Sequence, residues 1–355
     1  MNDGKADDEE IVGHGRVTVM VPSYNYAQYL VACVESAASQ PEADVVVVDN
    51  GSTDGSPAIG AELADRYANV RFVRYERNEG IITSFNRCRE EVRADYAVLL
   101  CADDLLVPGA LRRAVEHMDA HPDVGLLYGT ALDFSDASEV SLESLPADVI
   151  APVVHEGGTW VERLCRTGYN PIRTPEAIMR SSVLADAGPY EADLRYTSDL
   201  NLWLRIAARS NVLYLRGPVQ ALFRQHETNA GKAFPHNSAA ELEQRWAAFE
   251  RFFDTLGDDP RRDAWEAQAH ARLADEARYS ASRVFVGTTP GEADELLDLA
   301  DRLEPAGATE RAGWSLRRRL GPSRSQWWPG FQVRPLVHRM RRKQVDERRD
   351  RDGVA

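Results

Sequence analysis

The chain has 355 residues, of which 43% are hydrophobic and 28% charged, so it can bury a real core in one large domain or two closely joined ones; a disordered chain, a collagen and a small disulfide scaffold are excluded. Its 42 basic and 56 acidic side chains give a formal net charge of −14, which argues against nucleic-acid binding through a broad basic surface. No apolar run approaches the roughly eighteen residues that a membrane span needs.

The first 130 residues alternate between short apolar runs and helical patterns. Val17–Val21 is a strand ending at Pro22, and Leu30, Cys33, Val34 and Ala37 then recur at helical spacing across Ala27–Gln40. Asp44–Asp49 is a strand of almost pure valine, as expected where both faces of a sheet are covered. Ser56-Pro57 predicts a helix cap followed by proline in the first turn. A third strand spans Val70–Tyr75, and Ile82, Phe85, Cys88 and Val92 mark the helix after it. Tyr96–Cys101 is a fourth strand, Pro108–Asp119 a helix and Val124–Tyr128 a fifth strand. This alternation predicts an α/β fold with a mostly parallel sheet covered by helices. Ligands in such sheets sit beyond the carboxyl ends of the strands, so polar residues there are the place to look for chemistry.

Residues 131–157 turn acidic and lose periodicity, which predicts a long loop or insert. A helix near Trp160–Thr167, a loop with Asn170-Pro171-Ile172-Arg173-Thr174-Pro175 and a helix over Asp199–Arg209 follow. Two strands are expected at Val212–Leu215 and Val219–Phe223. Beyond His236 the chain is helical, with Leu242, Trp246, Phe249 and Phe253 on one stripe and a second stripe from Leu296 to Leu303. The expected division is 15–130 for a nucleotide-binding half, 131–230 for an acceptor-binding half, 236–320 for a helical extension and 321–355 for a tail.

That tail differs in charge. Arg311–Ala355 holds 13 basic and 4 acidic residues, with Trp327, Trp328, Phe331, Leu336 and Met340 interleaved. Such composition suits a segment lying on an anionic membrane, or an amphipathic helix docked on the acidic body. The N-terminus, with Asp3, Asp7, Asp8, Glu9 and Glu10, lacks the apolar stretch of a signal peptide. Cys33, Cys88, Cys101 and Cys165 have no CxxC spacing and no histidine cluster, and read as reduced thiols of a cytoplasmic protein. High Arg and Ala usage suggests a GC-rich bacterial source.

Three acidic positions fall at strand ends or helix starts. Asp49 leaves a buried strand into Asn50-Gly51-Ser52-Thr53-Asp54-Gly55, where it either accepts hydrogen bonds from a nucleoside or closes an Asx-type turn. Asp103-Asp104 follows the fourth strand; adjacent carboxylates there call for a cation such as Mg²⁺ or Mn²⁺, or else form a solvated turn. Asp199 lies in a first helical turn behind Ser198, where the helix terminus is expected to keep it ionised. It is either a proton acceptor or a simple helix stabiliser.

Together these segments resemble glycosyltransferase family 2, enzymes of the GT-A fold, from about Val17 to Asn229. The resemblance is carried by Val19-Met20-Val21-Pro22-Ser23-Tyr24-Asn25-Tyr26, the Asp49–Ser56 segment, Arg77-Asn78-Glu79-Gly80 with Asn86, and Leu99-Leu100-Cys101-Ala102-Asp103-Asp104. Thr197-Ser198-Asp199 with Trp203 and Phe223-Arg224-Gln225-His226 complete it. It implies an inverting transferase moving a sugar from a nucleoside-diphosphate sugar to a hydroxyl acceptor with the help of a divalent cation. By the same resemblance, Pro22, Tyr24, Asn25, Asp49, Asn78 and Asp103 would bind the nucleotide sugar, Asp104 and His226 the cation, and Asp199 would be the general base. His226 is equally readable as a hydrogen-bonded loop residue. Tyr169, Asn170, Arg173 and Thr174 are candidate acceptor contacts.

Two positions depart from the family pattern. Cys101 stands where the first aspartate of the usual Asp-X-Asp would be, and Ser198 replaces a glutamate before the base. An inactive sugar-nucleotide-binding scaffold is the alternative that Cys101 raises. A dehydrogenase would need GxGxxG after the first strand, and a nucleotidyltransferase a glycine-rich loop within residues 16–30, where no glycine occurs.

Overall fold

The computed structural model describes residues 15–304, apart from 137, 139, 228, 288 and 289. The N-terminal acidic segment and the basic tail at 311–355 lie outside the described residues. Strands β1 (Val17–Ser23), β2 (Ala43–Asp49), β3 (Val70–Arg74) and β4 (Tyr96–Leu99) pair in parallel in the order β3-β2-β1-β4. Helices α1 (Ala27–Ala38), α2 (Ser56–Arg66) and α3 (Ile81–Glu90) connect them. The sheet continues through β8 (Ile178–Arg180), β6 (Val124–Phe134), β9 (Asn211–Arg224) and the two-residue β5 (Leu105–Leu106), while β7 (Ala151–His155) pairs β9.

Valine alternation explains the two-sided core. Val45 and Val47 of β2 join Val17, Val19 and Val21 under α1, α2 and α4 (Ala110–Ala120). Val46 and Val48 face the other way, with Met20, toward Ile82 and Phe85 of α3. Successive residues of a strand point to opposite faces, and each fully buried valine contributes roughly 1.5–3 kcal/mol, so an uninterrupted valine run suits only a strand covered twice.

The second face is covered by helices from later in the chain. These are α5 (Gly157–Thr167), α6 (Ser181–Ala187), α7 (Ser198–Ala207) and the C-terminal α8 (Ala239–Asp254), α9 (Arg262–Gly287) and α10 (Pro290–Leu303). Helix α7 is buried nearly all round, with Leu200, Leu202, Trp203, Leu204 and Ile206 beside the hydrogen-bonded pair Asn201 and Arg205, because it lies between the sheet and α8. Arg245 of α8 sits between Glu241 and Glu276 and donates to the carbonyl of Gly168 at 2.7 Å, tying α8 and α9 to the end of α5.

Several local expectations change in the structure. Residues 131–157 are not one loop: β6 runs on to Phe134, a short 3-10 turn occupies Leu142–Ser144, and β7 follows. Their polar composition reflects an edge location. Ile150 there is 70% exposed, and only one face of β7 is covered. The two expected strands at Val212–Leu215 and Val219–Phe223 are one strand, β9, bent at Gly217 (φ +115°), where a side chain would meet the Asp148 carbonyl. Strands β5 and β8, of two and three residues, are too short to show periodicity, and exist because longer neighbours supply the ladder. Ser56 is not a side-chain cap: it is the first residue of α2, and its hydroxyl accepts the Tyr26 N–H at 3.1 Å.

Candidate functional site

The carboxyl ends of β1, β2 and β4 lie side by side, since β1 pairs with both neighbours and Ser23 stands opposite Asp49. Asn25 adopts a left-handed conformation (φ 57°), as asparagine tolerates. Its N–H donates to Ser52 Oγ at 2.9 Å, and its own Oδ1 accepts the Thr53 N–H at 2.8 Å. Asp54 receives the Ala27 N–H at 3.1 Å. The Asp49–Ser56 segment therefore clamps the start of α1, and the Asn25 side chain is spent on that clamp.

Asp49 is fully buried. Its Oδ1 accepts the Ser52 N–H at 3.0 Å, whereas Oδ2 is buried without a hydrogen-bond partner. A buried carboxylate oxygen with no donor is rare and fits a site completed by a ligand's N–H or O–H. The next loop is docked against this one. Asn50 Nδ2 donates to Asn78 Oδ1 at 2.9 Å and to the Gly80 carbonyl at 3.1 Å, and Arg87 donates to Asn50 Oδ1 at 2.8 Å. Gly51 (φ +76°) permits the approach: a Cβ there would lie 2.5 Å from the Arg77 backbone. Pro22 is buried within β1, while Tyr24 is 38% exposed at the rim.

Asp103 and Asp104 are both buried just after β4. Asp104 Oδ1 accepts the backbone N–H of Arg224 at 2.8 Å, and its Oδ2 is buried with no partner. Burial, followed by the neighbouring Asp103 charge, pushes the Asp104 carboxyl well above the usual range, and the Arg224 N–H opposes this. Asp103 Oδ2 meets His226 Nε2 at 2.7 Å. The imidazole stacks on Tyr29 at 5.6 Å, and the Arg224 guanidinium lies 4.4 Å from the same ring while donating to the Asp103 carbonyl at 2.8 Å. Thus the end of β9 delivers Arg224 and His226 to the acidic pair, 120 residues away in the chain. Cys101 completes the group: its Sγ and one oxygen of each carboxylate lie within 4.8 Å of one another. Two carboxylates, one with an orphaned oxygen, together with an adjacent imidazole fit a divalent cation.

Asp199 occupies the first turn of α7. Its Oδ1 accepts the Leu200 N–H at 2.7 Å and its Oδ2 accepts Asn170 Nδ2 at 2.9 Å. Asp199 is ionised at neutral pH, as expected, but the helix terminus does not set its pKa. Burial pushes its carboxyl up to about 6, against the pull of those two hydrogen bonds. A helix end contributes typically 0.3–1 kcal/mol, less than one pKa unit, whereas burial shifts a carboxylate by as much as about 3–5 units. The group is consequently a stronger base than a solvated aspartate, yet ionised at neutral pH. If Asp199 is the base, kcat/KM should fall tenfold per pH unit as pH drops below about 6, because the protonated carboxyl accepts nothing. A rate profile flat to pH 5 would remove it from that role.

The structure links the predicted residues through one loop. Asn170 holds Asp199, and Arg173, three residues on, is close enough to lower the Asp104 pKa. Burial, and then the nearby Asp199 charge, push the Tyr190 phenol up, and its backbone is held by Asn86 through hydrogen bonds of 2.8 and 2.9 Å. Of the candidate acceptor contacts, Asn170 and Arg173 are therefore tied to the acidic groups, while Tyr169 stands 41% exposed beside them. Asp133 escaped sequence reading. It ion-pairs with Arg173 and accepts from Gln225 Nε2 at 3.1 Å, joining the acceptor-side loop to the Arg224-Gln225-His226 segment. Nothing local marks Asp133, because both partners are at least forty residues distant.

The profile of the family described as Glycosyl transferase family 2 matches residues 18–181. The succinoglycan biosynthesis protein ExoO of Rhizobium meliloti is 37% identical over 140 residues, which is 37% of this chain and 39% of that protein. Other matched relatives are covered over 67%, 47% and 17% of their own lengths. Among solved structures, S. aureus TarS 1-349 in complex with UDP-GlcNAc superimposes with a TM-score of 0.52 at 16% identity, covering 82% of this chain and 91% of that one. A mannosyltransferase from Pyrobaculum calidifontis, solved with GDP-Man and Mn²⁺, gives 0.50 at 18% identity, covering 87% and 86%. The sheet and its covering helices are thus the GT-A fold, carrying a C-terminal helical extension.

Proposed function

We propose that this chain, whose residues 18–181 belong to glycosyl transferase family 2, moves a sugar from a nucleoside-diphosphate sugar to a hydroxyl acceptor by one inverting displacement. The observation that carries the reading is the set of buried aspartates Asp49, Asp103 and Asp104 at the carboxyl edge of one sheet, the first and last with an orphaned oxygen. Complexes of the fold neighbours with UDP-GlcNAc and with GDP-Man and Mn²⁺ support the donor class and the use of a cation.

In this reading Asp49 Oδ2 accepts an N–H or O–H of the nucleoside, and the Pro22–Asn25 turn and Asn78 wall the pocket. Asn25 and Asn78 act mainly through the loops they hold, since their side-chain oxygens already bind Thr53 and the Asn50 amide. Asp103, Asp104 and His226 would hold Mg²⁺ or Mn²⁺, and the bound ion would neutralise charge gathering on the departing diphosphate. Asp199 stands on the acceptor side. The acceptor oxygen forms its bond to the anomeric carbon as the carbon–diphosphate bond breaks with its electron pair, and Asp199 takes the hydroxyl proton. Asn170 keeps the Asp199 carboxylate oriented, and Tyr169, Arg173 and Thr174 border the acceptor. Candidate acceptors are a cell-surface glycan, a lipid-linked glycan or a natural product.

Among the described residues no helix is long and apolar enough to cross a membrane. A cytoplasmic enzyme touching the membrane through its basic tail agrees with the composition of residues 311–355.

A thermal-shift screen of nucleoside diphosphates and their sugars, with Mn²⁺ and with EDTA, tests the proposal. One base and sugar should raise Tm in a cation-dependent way, because a ligand of the folded state stabilises it by mass action. The same donor should be hydrolysed or transferred. Binding without any turnover would leave the inactive scaffold; no binding by any of them would end the reading.

A further inference from the structure

Cys101 is half-buried just beyond β4, and its thiol shares a cluster with the acidic pair. Its Sγ and one carboxylate oxygen each of Asp103 and Asp104 lie within 4.8 Å of one another. A second observation points to a ligand at this place: Asp104 is 1% exposed and its Oδ2 has no hydrogen-bond partner. Beyond it, Asp103 Oδ2 holds His226 Nε2 at 2.7 Å. The donors collected here are a thiol, two carboxylates and an imidazole.

We propose that Cys101 is itself a ligand of the cation and makes this site select a borderline divalent ion, of the Zn²⁺, Co²⁺ or Fe²⁺ type, over Mg²⁺. Bonds of about 2.3 Å to sulfur and 2.0–2.2 Å to oxygen let one ion span donors up to roughly 4.5 Å apart, so small side-chain rotations close the site. Mg²⁺ demands near-octahedral oxygen ligands and sheds water reluctantly, and gains nothing from sulfur. Thiolate and imidazole donors favour the later first-row ions. Coordination forms one sulfur–metal bond and releases the thiol proton to solvent, with no change of oxidation state. The inference rests on the transferase reading only for the use made of the ion, since the donor set exists whether or not sugar is transferred.

Cd²⁺ is the probe, because its thiolate complexes show an ultraviolet charge-transfer band that oxygen-only sites lack. Titrating the full-length chain should produce this band in step with binding measured by calorimetry. The band should vanish in Cys101→Ser and persist in Cys165→Ser, whose sulfur is buried in α5. Cys101→Asp should shift the ratio of Cd²⁺ to Mg²⁺ affinity toward Mg²⁺ by on the order of tenfold or more. Binding without the band, a band that survives Cys101→Ser, or no Cd²⁺ binding would each overturn the proposal. Should Cys101→Ser fail to fold, cadmium NMR of the unmodified chain decides: a shift in the oxygen-only range overturns it, and displacement toward the sulfur range sustains it. A chain with the sulfur signal but no activity on any donor would sink the transferase reading and leave this one standing.

Discussion

Asp199→Asn is expected to lower sugar transfer by about 10²–10⁴-fold, the span typical of losing a positioned general base. The amide keeps the side chain's size and can still accept the Leu200 N–H, but it has no basicity at any pH. Nucleotide affinity should stay within about twofold of the unmodified protein, because Asp49 and the Asp103–Asp104 pair sit at or just beyond strand ends, whereas Asp199 sits in the first turn of α7. Tm should remain within a few degrees, since burying the ionised carboxylate is itself costly. The sign follows from the raised pKa: the folded state binds the proton more tightly than the unfolded chain. The stability gained is fully present below the unfolded value near 3.8 and is lost as pH rises through about 6. Removing the charge therefore removes a cost at neutral pH and offsets the weakened contact with Asn170. Transfer within threefold of the unmodified rate would exclude Asp199 as the base, and lost nucleotide binding would mean that it shapes the donor pocket instead.

Asp104→Asn is expected to abolish most of the cation dependence of nucleotide binding. Calorimetry with Mn²⁺ should show nucleoside-diphosphate affinity falling at least 10–100-fold, the loss commonly seen when even an outer partner of a metal ligand is removed. In EDTA the two proteins should bind alike. Asparagine still accepts the Arg224 N–H that anchors the end of β9, and it removes repulsion between adjacent buried carboxylates, so the fold should persist. Unchanged affinity in Mn²⁺ would take Asp104 out of the cation site.

The two substitutions probe parts of the site that were legible to different degrees. Asp49, Asp103 and Asp104 follow valine- or leucine-rich strands closely enough to be placed at a ligand-binding edge by periodicity alone. Asp199 is legible as a helix-start residue, but the upward shift of its pKa is not. A helix terminus is visible in sequence, whereas the burial that pushes the carboxyl upward is created by elements far along the chain. The Asn170 contact that orients it crosses 29 residues and leaves no local mark. Asp133 is the clearest case of a residue whose part emerges only when Arg173 and Gln225 are brought to it.

The sequence by itself determined the layered architecture, because alternation of apolar residues at periods of two and 3.6 records which faces must leave water, and that is a property of each segment. It also marked the acidic pair Asp103-Asp104 as a candidate cation site, since adjacent carboxylates carry their repulsion wherever they go. Tertiary structure alone decided the continuous β9, the short strands annealed to longer neighbours and the meeting of Asp103 with His226 and of Asp104 with the Arg224 backbone. Desolvation and hydrogen-bond partnership depend on distance in space, and side chains a hundred residues apart acquire them only when the sheet closes.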